Sequence, residues 1–253
     1  MRDGADILDI VEGFDAEDCY SRPAPASASS DSVGPFRYGR LAAKDLECFG
    51  MPECGMLYQR ACERFSILGG TPVEIDFAPF AEAGELMFAG PWVAERRAAI
   101  SGLMEIETDA LLDVTKAVLR PAADYSAMDA FTALHRLLRL RRQSQEILAG
   151  VDALVVPTAP RPFLLEDMNR DPITLNNRLG HYSYFANLLD LCAIAIPNGT
   201  LPNGVPMGVT LLAPAWSDRA LIALAQRLEV TAGVTPFALT SRARGAPASL
   251  AEV

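Results

Sequence analysis

The chain has 253 residues, 50% hydrophobic and 21% charged, enough to bury a sizeable core as one large domain or two small ones, which excludes a disordered chain. Its 22 lysines and arginines face 32 aspartates and glutamates, and a formal charge of -10 excludes a broad phosphate-binding surface, so nucleic acid is not an expected partner. The five cysteines, Cys19, Cys48, Cys54, Cys62 and Cys192, show neither CxxC spacing nor a dense disulfide pattern and read as reduced thiols of a cytoplasmic protein.

The opening MRDGADILDIVEGFDAEDCYSRP has no apolar run long enough for a secretion signal. No segment approaches the roughly 20 apolar residues of a membrane span, so a soluble chain with no membrane partner is expected. Ala5 to Glu12 reads as a short helix with Ile7, Leu8 and Val11 on one face, and Pro23 to Gly34, rich in Pro, Ala and Ser, as a connecting loop. Phe36 to Leu41 is predicted as a strand. Cys54 to Leu68 follows as a helix with an apolar stripe of Met56, Leu57, Ala61, Phe65 and Leu68, closed by Gly69 and Gly70, and Pro72 to Phe77 as the next strand. Phe80 to Ser101 has helical spacing interrupted by Pro91, which predicts two helical pieces with a break before the proline.

Ser126 and Asp129 have the spacing of a capping box, and Phe131, Leu134, Leu138, Ile147 and Leu148 mark the apolar side of a helix that Gly150 ends. Arg136, Arg139, Arg141 and Arg142 give that helix a basic flank. Three short apolar runs, Ala153 to Val156, Ala193 to Ile196 and Val209 to Leu212, are bounded by Pro or Gly and read as buried strands. A helix is expected at His181 to Asp190, and another at Asp218 to Val230 with Asp218 as its N-cap. Strands alternating with helices predict an α/β fold, a mixed sheet flanked by helices. No internal repeat stands out, and Ser241 to Val253 has the composition of a frayed end.

Nucleophilic hydrolysis requires an activated Ser, Cys or Thr beside a base, with donors for the oxyanion. The sequence has no GxSxG elbow, and Ser27, Ser29, Ser30 and Ser32 lie in the Pro/Ala loop without the glycines of a tight nucleophile turn. His135 sits on the Arg-rich helix and His181 beside Tyr182 and Tyr184, and structural or surface roles are expected for both. Two separated histidines make a poor metal site, and Glu74 and Asp76 read as solvated strand residues, so no metal is expected.

The segment GTLPNGVPMGVTLLAPAWSD, Gly199 to Asp218, resembles the C-terminal signature of amidase-signature hydrolases. With EGFDAEDCYSRP at the start, EIDFAPF at Glu74 to Phe80, GPWVAER at Gly90 to Arg96, VPTAP at Val156 to Pro160 and LNNRLGHYSYFANLLDL at Leu175 to Leu191, the chain looks more specifically like the allophanate hydrolases. The resemblance implies an amide-hydrolysing enzyme that converts allophanate to ammonia and carbon dioxide without a cofactor. It implies a Lys and two serines as catalytic groups, in a Gly/Ser-rich half preceding the matched part. Residues 1–240 are therefore expected to form the latter half of an amidase-signature domain and 241–253 a flexible tail, the chain being inactive alone. Its expected partners are allophanate and a complementary catalytic half, or a second copy.

In the resembled family an arginine after the GPW turn and a tyrosine one or two helical turns before it face the substrate carboxylate and carbonyl. Arg96 matches that arginine, and Phe88 stands at the tyrosine position, so these two are the candidate substrate-binding residues. An arginine suits the role because its planar fork holds a carboxylate by two parallel hydrogen bonds. Trp92 is read as core. Two other readings stand beside this one: a non-catalytic binding or scaffold subunit with the same fold, and another amidase of the superfamily.

Overall fold

The structure is a computed structural model that describes residues 2–25, 34–102 and 111–232. Its strands are β1 (Phe36–Leu41), β2 (Gly70–Ile75), β3 (Ala153–Pro157), β4 (Leu191–Thr200) and β5 (Pro206–Pro214). The helices are α1 (Arg2–Val11), α2 (Pro52–Ile67), α3 (Ala78–Ala89), α4 (Trp92–Ala99), α5 (Asp113–Leu119), α6 (Ala127–Leu148), α7 (Leu165–Arg170), α8 (Pro172–Leu179), α9 (Phe185–Leu188) and α10 (Asp218–Ala232).

The strands form one mixed sheet in the order β2-β1-β3-β5-β4. β1 runs parallel to β2 and β3, while β5 is antiparallel to both β3 and β4, so that Leu154 faces Leu212 and Leu212 faces Ala193. All five residues of β3 are buried, as a strand covered on both faces must be, and its sequence ALVVP is accordingly an unbroken apolar run.

α2 joins the sheet through Tyr58, Ala61, Cys62 and Phe65, while Leu57 packs with Cys54 and Leu201 in a second, smaller cluster. The buried Tyr58 hydroxyl accepts the Leu41 N–H at 2.8 Å and donates to the Val155 carbonyl at 3.0 Å, tying α2 to β1 and β3. Its neighbour Tyr38 donates to the Cys62 carbonyl at 2.7 Å. These phenols lie in the core because their hydroxyls are matched by hydrogen-bond partners. Leu221, Leu224, Ala225 and Leu228 of α10 complete the larger cluster.

Several expectations are corrected. Met56 is exposed, because α2 buries the adjacent row led by Leu57 and Tyr58. On α6 the exposed row is Phe131, Leu134 and Leu138, whereas Ala133, Leu137, Leu140, Ser144 and Leu148 face inward and Ile147 packs at the core margin. The Ser126–Asp129 capping box is present, with reciprocal bonds of 3.2 Å and 2.8 Å. On α1, Ile7 and Val11 are exposed. The run Ala193 to Ile196 is only partly buried because, among the described residues, β4 is a sheet edge paired with β5 alone, while Val209 to Leu212 is interior. The helix expected from His181 begins only at Phe185, after a turn. Residues 241–253 and the serine cluster Ser27 to Ser32 lie outside the described residues.

Candidate functional site

The site begins at the break between α3 and α4. A Cβ on Gly90 would lie 2.5 Å from the Leu86 carbonyl oxygen, so only glycine lets the chain turn this closely against the end of α3. Pro91 follows as the N-cap of α4, where its fixed φ and missing N–H cost nothing. Folded back on α3 in this way, α4 brings the Arg96 guanidinium over the Phe88 ring, 4.4 Å from its centre. The two residues singled out in the sequence, eight positions apart, are therefore in contact through a cation–π interaction. Trp92 packs at the margin of the core, as expected.

The opposite wall comes from α8 and the turn after it. Pro172 occupies the first turn of α8, and the Asp171 carboxylate caps it by accepting the Thr174 N–H at 3.2 Å. Gly180 ends the helix, and a Cβ there would fall 1.9 Å from the Tyr184 ring, so the tyrosine lies flat against this glycine. Placed so, the Tyr184 ring sits 4.5 Å from the Phe88 ring, tilted by 52°. Its hydroxyl donates to the Asn176 carbonyl at 2.7 Å and accepts from Asn176 Nδ2 at 3.1 Å. Burial raises the Tyr184 pKa, and the nearby Arg96 charge opposes that rise.

Beneath the site, Phe77 stacks on Phe80 at 5.8 Å, and Phe185 meets both edge-on at 5.6 Å and 5.4 Å. This aromatic floor fixes the start of α3 against α9. His181 lies 6.1 Å from Phe77, and burial lowers its pKa against the raising influence of Glu47 and Glu85, which favours the neutral imidazole.

Two cavities meet at Phe88. The larger, about 540 Å³, is lined by Arg96 and by Ile100, Val118, Ile173, Asn176 and Asn177 among others. The smaller, about 190 Å³, is lined by Glu85, Asn177, His181 and Tyr184 with Phe88 between them. Among the described residues no carboxylate pairs with Arg96. One cation, two carboxamides and apolar walls make a pocket for a small anion that also carries a hydrogen-bonding group.

The sequence reading left Asn176, Asn177, Tyr184 and Glu85 unassigned and gave His181 a structural role. The signal for most of them was the block LNNRLGHYSYF, in which amide, imidazole and phenol recur at spacings of one helix and one turn. The other candidates stay apart from the site. His135 is exposed on α6, Glu74 lies 3.7 Å from Arg40 on the sheet surface, and Asp76 caps the Ala78 N–H at 3.1 Å. The chain's two lysines also lie elsewhere, Lys116 at 3.5 Å from Asp113 and Lys44 exposed. Among the described residues no group of three or more metal-ligating side chains occurs, and no helix is long and apolar enough to cross a membrane.

The chain is a mixed α/β protein, a five-stranded sheet flanked by helices, the architecture of the hydrolases it resembles. Residues 1–222 match the Amidase family, and the chain belongs to it. It is similar to the urea amidolyase of Lachancea kluyveri, 32% identical over 212 residues, which are 83% of this chain and 12% of the relative. The urea amidolyase of Saccharomyces cerevisiae is 32% identical over 186 residues, 73% of this chain and 10% of that protein. Among solved structures, an allophanate hydrolase of Kluyveromyces lactis superposes with a TM-score of 0.86 at 30% identity, covering 91% of this chain and 38% of that one. A 6-aminohexanoate cyclic dimer hydrolase shares the fold, with a TM-score of 0.71 at 19% identity over 92% of this chain and 53% of that one. The chain thus spans about an eighth or less of the urea amidolyases and under two-fifths of the solved allophanate hydrolase.

Proposed function

We propose that this chain forms the carboxylate-reading wall of an amidase that hydrolyses allophanate to ammonia and carbon dioxide, with the Lys and two serines contributed by sequence outside these 253 residues. The observation that carries the reading is Arg96, a guanidinium held over the Phe88 ring at the edge of a cavity and without a carboxylate partner among the described residues. Allophanate carries one carboxylate and one terminal amide. Arg96 holds the carboxylate by paired N–H donors, and this fixes the amide carbon relative to a nucleophile arriving from the catalytic half.

The chemistry asked of this chain is orientation rather than bond breaking. The apolar walls lower the local dielectric, which strengthens the Arg96–carboxylate pair, and no cofactor is needed for amide hydrolysis of this kind. The test is allophanate-dependent ammonia release by the purified chain, alone and mixed with a separately expressed segment bearing the Lys and two serines. Activity in the mixture only is the expected result. Activity of the chain alone would refute the external nucleophile, and silence in both would favour a non-catalytic binding subunit.

A further inference from the structure

A ligand with a carboxylate and a carbonyl needs a second donor besides Arg96, and the residue beneath the guanidinium, Phe88, has none. The walls of the larger cavity are otherwise mostly aliphatic, and among the described residues the polar side chains bordering it with Arg96 are Thr115, Asn176 and Asn177. Of these, Asn176 is tied to the Arg96–Phe88 pair through a continuous chain of contacts. Its carboxamide donates to the Tyr184 hydroxyl at 3.1 Å, and the Tyr184 ring lies 4.5 Å from the ring on which Arg96 rests.

We infer that the Asn176 carboxamide, held by Tyr184, is the second ligand-reading group of this pocket and supplies the donor that residue 88 lacks. A primary amide has two N–H donors. One is used on Tyr184 Oη, which aims the group, and the other is left for a carbonyl oxygen of the ligand. The Tyr184 proton is committed to the Asn176 backbone carbonyl at 2.7 Å, so the phenol touches no ligand and acts as a positioning residue for the amide. The bare face of Gly180, where a Cβ would strike the Tyr184 ring at 1.9 Å, keeps that phenol in place. A donor fixed in advance by two hydrogen bonds and a ring contact loses little freedom when ligand arrives.

This inference rests on the proposed carboxylate pocket, and its test separates the two. The probe is malonamate, which replaces the central N–H of allophanate with a methylene, titrated into the purified chain by calorimetry. Arg96→Ala should abolish binding. Asn176→Ala should raise Kd about tenfold, equivalent to about 1.4 kcal/mol. Tyr184→Phe, which keeps the ring and the fold, should raise it about threefold to fivefold by releasing the amide. Adding Phe88→Tyr to Asn176→Ala should restore affinity to within about threefold of the parent, a rescue that a merely structural role for Asn176 does not produce. If Arg96→Ala abolishes binding while Asn176→Ala binds as the parent does, the inference is overturned and the pocket stands. If Arg96→Ala binds normally, the pocket itself is wrong.

Discussion

Arg96 lies with its guanidinium carbon 4.4 Å above the centre of the Phe88 ring, so that, among the described residues, the cation proposed to read the substrate rests on an aromatic face instead of on a carboxylate. A ring contact of this kind steadies a guanidinium without cancelling its charge. A carboxylate partner would have competed directly with an anionic ligand, whereas a ring leaves the N–H fork available.

Removing the ring while keeping an apolar residue should therefore loosen the arginine. Phe88→Leu is expected to raise the Kd for malonamate about twofold to fivefold, the worth of about 0.5–1 kcal/mol of cation–π contact. Phe88→Tyr should leave it unchanged or lower it. Titration of the three proteins side by side checks this, and equal affinity for Phe88→Leu and the parent would show that the ring does not hold Arg96.

Tyr58 predicts a stability effect far from the site. Tyr58→Phe keeps the ring in the core but leaves the Leu41 N–H and the Val155 carbonyl without the hydroxyl that bonds them at 2.8 Å and 3.0 Å. An unfolding free energy lower by about 1–3 kcal/mol is expected from urea titration. A loss below about 0.3 kcal/mol would mean that water enters and satisfies both groups.

His181 makes stability depend on pH. Its folded pKa lies below the ordinary 6.5 because of burial, so the unfolded chain takes up the proton first as the solution is acidified. The stability contributed by the neutral imidazole is complete above about pH 6.5 and is lost as pH falls from there toward the folded-state value. Melting temperatures of the parent and of His181→Gln should converge across that interval on acidification. Parallel curves would show that His181 titrates alike in both states.

The two sides of α6 should respond unequally to substitution. Leu137 is buried, and Leu137→Ala is expected to cost about 2–5 kcal/mol. Phe131 is exposed, and Phe131→Ser should stay within about 0.5 kcal/mol of the parent. Chemical denaturation of both variants decides between the observed face and the opposite one.

That helix also shows where the sequence was legible and where it was not. Its start was readable because Ser126 and Asp129 are a local, three-residue signal. Its buried side was not, because Leu137 and Leu138 are adjacent and the small residues Ala133 and Ser144 on the true inner face carry little hydrophobic signal. The strand β1 was legible to the residue at both ends, and the α3–α4 break was marked by Pro91, since turn chemistry acts locally. At the site, the family resemblance of the GPWVAER block pointed to Arg96 and Phe88. Asn176 and Tyr184 escaped because α7 and α8 are short and polar, with one buried residue between them, Leu175, and their meeting with α3 depends on the Gly180 turn.

The central claim is that Arg96 makes this pocket a carboxylate site, and the most direct measurement is a parallel titration of the chain and of Arg96→Ala with malonamate and with acetamide, which has the amide but no carboxylate. The expected result is saturable malonamate binding by the parent, none by Arg96→Ala, and none of acetamide by either. Equal malonamate binding by both proteins, or acetamide binding as tight as malonamate binding, would contradict it.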